Sequence, residues 1–312
     1  MVPHCRVRSS RSSGVDPAPP SNSSAPGPCD RRSRSSSPPA PGTAAVRQRP
    51  DRLPIDLIVG TSAGAIVGAL PATGQAPDRL ESPPHPAGSA GGPLQVDQRR
   101  LGEVWTVLGD AGSDPAEARR LVGEPALAAD TGSEQAHLAR MHAMVGTERR
   151  PDRALLITAV EATTGEPGIL DHTSGASLSS AVAASTAFPA VCPPVTINGR
   201  RYMDGGLRSA TSADLAAGSH TTVVIEPLAH LFPRETLTRE LAEAGADSVV
   251  TISPDQATTQ IFGRDLHDRT AWGPAYRAGV RQGAAMADHV GVTWHESTAT
   301  GEATAPESGH PH

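Results

Sequence analysis

Residues 55 to 70 read Ile-Asp-Leu-Ile-Val-Gly-Thr-Ser-Ala-Gly-Ala-Ile-Val-Gly-Ala-Leu. The apolar run at residues 57 to 59 is typical of a buried strand, and the small and aliphatic residues after Ser62 are typical of a buried helix. Gly60 and Gly64 stand two residues on either side of Ser62, where side chains would collide in a sharp strand-to-helix turn. The stretch therefore predicts a strand, a tight turn with Ser62 at its apex, and a helix.

This turn is a suitable place for a serine nucleophile. A serine hydroxyl reacts with an ester only when it is held clear of its surroundings and close to a base. The first N–H groups of a helix have no partner within the helix, and they lie at the positive end of its dipole. We therefore expect the Ala63 N–H to stabilise an oxyanion that forms when Ser62 attacks a carbonyl.

A carboxylate that could act as the base follows a predicted hairpin. Residues 195 to 204 alternate in polarity on both sides of Asn198-Gly199, a dipeptide typical of a two-residue hairpin turn. Asp204 ends the second strand, and Gly205 and Gly206 allow the chain to turn tightly after it. Two roles for Asp204 remain open from the residues alone: to receive a proton from Ser62, or to cap its own turn.

Together these motifs resemble the patatin-like phospholipase family. Residues 60 to 64 read Gly-Thr-Ser-Ala-Gly, residues 184 to 189 match Ala-Ser-x-Ala-x-Pro, a Pro-Pro pair stands at 193 and 194, and Asp-Gly-Gly begins at Asp204. The resemblance covers roughly residues 53 to 290. It implies a lipid or related acyl-ester substrate, Ser62 as the nucleophile and Asp204 as its proton acceptor, with no histidine, metal or cofactor, and it leaves a transient contact with a membrane surface open.

One part of the family pattern is missing from the sequence. Family members open with a strand and a glycine-rich turn whose N–H groups form most of the oxyanion hole. Residues 1 to 52 are instead rich in serine, proline and arginine, with single glycines and no apolar run of strand length. This composition predicts a disordered segment and a sheet without its usual first strand. Two explanations of this segment remain open: the protein is a degenerate relative, or the segment is an out-of-frame start joined to a genuine domain. All 27 basic residues are arginine, which indicates a GC-rich coding sequence, and GC-rich DNA translated in a wrong frame tends to give sequence rich in arginine, proline and serine.

The rest of the chain predicts an α/β domain. Apolar runs at 154–160, 222–225 and 249–253 are typical of buried strands, and residues 101–146 have helical spacing, either as a layer on the sheet or as a lid. Residues 71–100 are predicted to be a surface loop. We expect a three-layer α/β/α domain with a mostly parallel sheet over residues 53–295, and a disordered tail over 296–312.

Charge and composition exclude several other classes of protein. The net charge is −6, and the first 50 residues carry eight arginines and two aspartates, so the remainder carries −12 and does not favour nucleic-acid binding. The three cysteines have no metal-site or disulfide spacing, which fits a reducing compartment. Neither a signal peptide nor a membrane-spanning run is recognisable, so the default expectation is a cytoplasmic protein. The sequence does not determine the oligomeric state or the lipid head group.

Two rival functions remain open at this level. An α/β-hydrolase would carry the same serine turn but would need a histidine late in the chain, for which His220, His230, His267 and His289 are available. A catalytically weak or inactive relative would keep the fold for lipid binding or for an interaction, and the missing glycine-rich turn favours it.

Overall fold

The structure is a computed structural model that describes residues 4–8, 53–82, 95–110, 114–262 and 269–303. All of these residues except Leu53 belong to one compact unit. Within them no helix is both long enough and apolar enough to cross a membrane.

The described strands form one sheet of eight. They are β1 (His4–Arg8), β2 (Leu57–Thr61), β3 (Ala154–Glu161), β4 (Pro167–Leu170), β5 (Val195–Ile197), β6 (Arg200–Asp204), β7 (Thr221–Ile225) and β8 (Ser248–Ile252). The order is β5-β6-β3-β2-β1-β7-β8, and β4 also pairs with β3. The pairings make β2, β3, β5, β7 and β8 run in one direction and β1, β4 and β6 in the other. Most strands thus share one direction, as the sequence predicts.

The described helices are α1 (Ala63–Ala72), α2 (Gln98–Leu108), α3 (Pro115–Ala128), α4 (Glu134–Val145), α5 (Leu178–Ser185), α6 (Arg234–Ala244), α7 (Gln256–Phe262) and α8 (Trp272–Ala303). Local sequence sets where several of them begin. The side chains of Asp97, Asp114, Ser133 and Ser177 each accept a main-chain N–H from the first turn of α2, α3, α4 and α5. Such caps replace hydrogen bonds that the first turn of a helix lacks.

Helices cover both faces of the sheet. On one face Ile58 of β2 and Ile157 of β3 pack with α1, α4 and α5 in the largest cluster of buried side chains. On the other face Val160 of β3 packs with Val104 of α2 and Val122 of α3. Ile157 and Val160 lie on opposite faces because successive side chains of a strand alternate. The structure thus has helices on both sides of a central sheet, and α2 and α3 form part of a layer against it.

The N-terminal segment differs from the sequence prediction at five residues. The sequence predicts disorder over residues 1–52 and no strand before β2, yet His4–Arg8 form β1, between β2 and β7. A strand here supplies hydrogen-bond partners to the facing edges of β2 and β7, which would otherwise be unpaired, and this outweighs the weak strand signal of a segment with little apolar content. The rest of residues 1–52 lies outside the described residues.

The direction of β1 matters for the site described below. It runs antiparallel to β2, with His4 opposite Thr61 and Arg8 opposite Leu57. Arg8, the last residue of β1, therefore lies at the end of β2 that is remote from Ser62.

Other boundaries differ from the sequence prediction. The predicted loop over 71–100 contains the end of α1, a 3-10 turn at Pro77–Leu80 and the start of α2, and residues 83–94 lie outside the described residues. The predicted disordered tail begins at residue 296, but α8 continues to Ala303. An existing helix gains one hydrogen bond for each residue added, so it extends into polar sequence more readily than such sequence forms a helix alone. Residues 304–312 lie outside the described residues.

Candidate active site

Ser62 lies between the end of β2 and the start of α1, as the sequence predicts. Its backbone has φ 54° and ψ −125°, a conformation that residues other than glycine rarely adopt. A strained serine at this point projects its side chain away from both the strand and the helix. Ser62 is half-buried, whereas Thr61 before it and Ala63 after it are buried.

Gly60 makes this turn sterically feasible. A Cβ atom at Gly60 would lie 2.7 Å from the Ala65 Cα, 2.8 Å from the Gly64 carbonyl oxygen and 2.9 Å from the Ala65 nitrogen. These are backbone atoms, so no side-chain rotation relieves the collision. The last residues of β2 and the first turn of α1 can approach this closely only because residue 60 has no side chain.

Asp204 lies beside Ser62 at the end of β6. The Ser62 hydroxyl donates a hydrogen bond of 2.7 Å to Asp204 Oδ2, across 142 residues of sequence. Asp204 Oδ1 accepts the Gly206 N–H at 2.8 Å. One carboxylate oxygen thus caps the turn, and the other accepts the hydroxyl of Ser62, so both contacts that the two open roles require are present.

The hairpin before Asp204 has the predicted form. β5 and β6 pair around Asn198 and Gly199, whose φ values are 49° and 77°. Two successive positive φ values are the mark of a type I′ turn, for which Asn-Gly is favoured. β6 also pairs with β3, with Asp204 opposite Ala159, and β3 is parallel to β2. The sheet therefore brings the end of β6 and the end of β2 to the same edge.

Gly205 is needed for this approach as well. A Cβ atom there would lie 2.3 Å from Thr158 Oγ1 and 2.4 Å from the Thr158 carbonyl oxygen. Thr158 Oγ1 also lies 2.9 Å from Thr61 Oγ1, and both threonines are buried. A hydrogen bond between these two hydroxyl groups thus links β2 to β3 at Thr61, the residue that precedes Ser62.

Burial changes the acidity of Asp204. Its side chain is 1 % exposed, and removal from water raises its pKa from 3.8 to about 7. Hydrogen bonds from the Gly206 N–H and the Ser62 hydroxyl act in the opposite direction, because they stabilise the charged form. The carboxylate is therefore a stronger base than an exposed aspartate, and near neutral pH it exchanges a proton readily.

The Ala63 N–H is at the positive end of α1. It has no acceptor among the described residues, whereas the Ala65 N–H donates to the Ser62 carbonyl at 2.9 Å. The amide is thus available to an anion at the start of the helix. A second donor comparable to a glycine-rich turn is not found at this edge within the part of the chain that the structure describes.

No histidine among the described residues hydrogen bonds to Ser62 or Asp204. His220 Nδ1 lies 2.7 Å from Asp247 Oδ2, His230 is in a short 3-10 turn at Ala229–Leu231, and His289 lies on α8. His267 lies outside the described residues. The described part of the chain therefore places no histidine in a triad with Ser62. It also contains no group of three metal-ligating side chains.

One buried contact of Ser62 was not predicted. Its N–H donates to the Ser185 hydroxyl at 2.8 Å. Ser185 belongs to the Ala-Ser-x-Ala-x-Pro segment that carries part of the family resemblance, but the sequence alone assigned it no role. Spacing could not reveal this contact because 123 residues separate the two serines.

Comparison with known proteins defines the class to which this fold and site belong. A family model for patatin-like phospholipase matches residues 42–217, more than half of the chain, and it includes both Ser62 and Asp204. The chain belongs to the patatin-like phospholipase family, whose members are lipid acyl hydrolases. No curated protein matches the chain.

Proposed function

We propose that this protein hydrolyses carboxylic esters of lipids with Ser62 as the nucleophile and Asp204 as the proton acceptor. The observation that carries the proposal is the 2.7 Å hydrogen bond from Ser62 Oγ to Asp204 Oδ2. It joins a serine with a strained backbone to a buried carboxylate whose pKa is raised. Strain and shifted acidity together are typical of catalytic groups.

The proposed first half-reaction forms an acyl-serine. Asp204 takes the proton as Ser62 Oγ attacks the ester carbonyl, and the carbonyl oxygen gains negative charge next to the Ala63 N–H. The tetrahedral intermediate collapses when its bond to the alcohol oxygen breaks. Asp204 then gives its proton to the departing alcohol, which leaves Ser62 esterified and Asp204 ionised.

The second half-reaction repeats these proton transfers with water. Asp204 takes a proton from a water molecule, and the resulting hydroxide attacks the acyl-serine carbonyl. Collapse of this second intermediate releases the fatty acid, and the proton returns from Asp204 to Ser62 Oγ. One carboxylate thus serves as base and acid in both steps, which suits a pKa of about 7.

A catalytically weak relative is the second candidate, and the direction of β1 favours it. His4 lies opposite Thr61, so Arg8, the last residue of β1, lies opposite Leu57 and away from Ser62. Loss of one oxyanion donor in a comparable hydrolase costs about 2.7–4 kcal/mol of transition-state stabilisation. With the Ala63 N–H as the one oxyanion donor identified among the described residues, the reaction is expected to be slow.

A fluorophosphonate probe tests the proposal. Such a probe phosphonylates an activated serine, so the folded wild-type chain is expected to become labelled, and the Ser62→Ala variant is expected to remain unlabelled. Ser180→Ala removes a serine hydroxyl from α5 and serves as a matched control that keeps the label. Mass spectrometry of the labelled peptide identifies the site. A folded wild-type chain that resists labelling would contradict the proposal and support the catalytically weak relative.

The pH dependence of hydrolysis follows from Asp204. Only the ionised carboxylate accepts a proton, so kcat/KM is expected to rise with pH, to fall about tenfold for each pH unit below 7, and to level off above it. The measurement uses a soluble p-nitrophenyl ester between pH 5 and 9, with circular dichroism at each pH to show that the chain remains folded. A midpoint near pH 4 would mean that the group that limits the rate has the pKa of an ordinary carboxyl group, and that burial does not raise the pKa of Asp204 in the active enzyme.

A further inference from the structure

Ser185 is the last residue of α5, and no part of it is exposed. Its hydroxyl oxygen accepts the Ser62 N–H at 2.8 Å. The three polar groups of Ser62 are thus held separately: the N–H by Ser185, the hydroxyl by Asp204, and the carbonyl by the Ala65 N–H. Of these three hydrogen bonds, the one to Ser185 alone both holds the backbone of Ser62 and comes from a different layer of the fold.

The backbone of Ser62 needs such a contact. A serine with φ 54° and ψ −125° persists only where its surroundings fix it, because the conformation costs free energy for any residue with a Cβ atom. Gly60 allows the turn but does not enforce it. A buried hydroxyl at 2.8 Å from the Ser62 nitrogen favours one orientation of the peptide that enters the turn.

Ser185 belongs to a segment that contacts both members of the proposed pair. Two residues further on, the Ala187 carbonyl accepts the Asp204 N–H at 3.0 Å. One short stretch at the end of α5 therefore sets the position of Ser62 through a side chain and that of Asp204 through the main chain. A shift of this stretch would change the Ser62–Asp204 distance.

The end of α5 is itself held firmly. Ala183 and Ala184 have no exposed surface, and the Ala183 carbonyl contacts His137 Nε2 of α4 at 2.9 Å. The Thr186 hydroxyl donates to the Val182 carbonyl at 2.9 Å. The Ser185 hydroxyl is thus presented from a packed and hydrogen-bonded helix end, as a precise support for another residue requires.

From these contacts we propose that Ser185 is a positioning residue that fixes the Ser62 backbone so that Ser62 Oγ stays on Asp204. It makes and breaks no bond in the reaction. This inference rests on the proposed function for its effect on rate, whereas its effect on the Ser62 backbone is independent of catalysis.

The kinetic test compares Ser185→Ala with Ser180→Ala and Ser185→Thr. Ser180 lies on the same helix, and its hydroxyl bonds to Ser177 rather than to the site. Ser185→Ala is expected to lower kcat and the rate of probe labelling by about 10- to 100-fold with little change in KM, because misplacement of reacting groups impairs chemistry more than binding. Ser180→Ala is expected to keep the wild-type kcat, and Ser185→Thr, which retains a hydroxyl, to recover most of it.

Hydrogen exchange of the Ser62 amide, followed by NMR, tests the backbone role directly. The amide is expected to exchange more slowly in the wild type and in Ser180→Ala than in Ser185→Ala. Unchanged Ser62 exchange in a folded Ser185→Ala variant would overturn the inference, as would equal kinetic losses in Ser185→Ala and Ser180→Ala. If the wild type itself fails to react with the probe, the proposed function fails, and the exchange result alone decides the role of Ser185.

Discussion

Replacement of Asp204 by asparagine is expected to lower ester hydrolysis by about 10³- to 10⁴-fold. Asparagine cannot take the proton of Ser62, so the serine would have to attack without a base. The change is otherwise conservative. The amide oxygen can still accept the Gly206 N–H, and the amide nitrogen can donate to Ser62 Oγ, so both contacts of the carboxylate have a counterpart.

The same variant is expected to be more stable than the wild type above neutral pH. Burial raises the pKa of Asp204 to about 7, so the folded state binds this proton more tightly than the unfolded state does. The stabilisation of the fold by this tighter proton binding is fully present below the unfolded pKa of 3.8 and is lost as the pH rises through about 7. Asparagine does not titrate, so the advantage of Asp204→Asn grows from pH 4 to 7 and then levels off, at about 4 kcal/mol as an upper bound.

Urea unfolding of both proteins at pH 4, 6 and 8 measures this difference, and Asp171→Asn serves as the control. The hydrogen bond from the Thr173 hydroxyl lowers the pKa of Asp171, so this carboxylate contributes stability at high pH that is lost as the pH falls through its folded pKa. Asp171→Asn should therefore be less stable than the wild type at pH 8, and it should remain active.

The rate of ester hydrolysis tests the catalytic part of the prediction. If Asp204→Asn retains the wild-type rate, another group is the base.

Replacement of Gly60 by alanine is expected to destabilise the fold by about 3 kcal/mol and to abolish labelling of Ser62. The added Cβ would meet the backbone of Gly64 and Ala65 at 2.7–2.9 Å, so β2 and α1 would have to separate. Such a separation moves Ser62 Oγ away from Asp204. The chain would lose both stability and the proposed chemistry through a single methyl group.

Thermal unfolding and probe labelling measure the two effects. A loss of about 3 kcal/mol corresponds to a fall in Tm of about 6–12 °C for a domain of this size. Gly102→Ala is the matched control, because nothing lies within 4 Å of the added Cβ and Gly102 is exposed on α2. It is expected to be neutral or slightly stabilising, since alanine favours a helix over glycine. A Gly60→Ala variant with wild-type Tm and labelling would show that the turn is looser than the structure implies.

The sequence by itself determined the local form of the site. The glycines around Ser62 predicted a strand, a sharp turn and a helix, and Asn198-Gly199 predicted the hairpin that ends at Asp204. Such signals are local, since a tight turn limits which residues can adopt its backbone angles. The apolar runs likewise predicted β3, β7 and β8 within a residue or two of their observed bounds. The family match confirms the resemblance that these motifs carried.

Only the tertiary structure decided what meets at Ser62. Spacing left Asp204 with two alternative roles, and the structure gives it both contacts because the sheet order brings β2 and β6 to either side of β3. Ser185 bonds the Ser62 backbone across 123 residues, and β1 forms from a segment whose composition predicts disorder. These features depend on which surfaces pack together and on hydrogen-bonding groups left open by other strands. The composition and periodicity of a single segment predict neither its packing partners nor the hydrogen-bonding groups that other strands leave open.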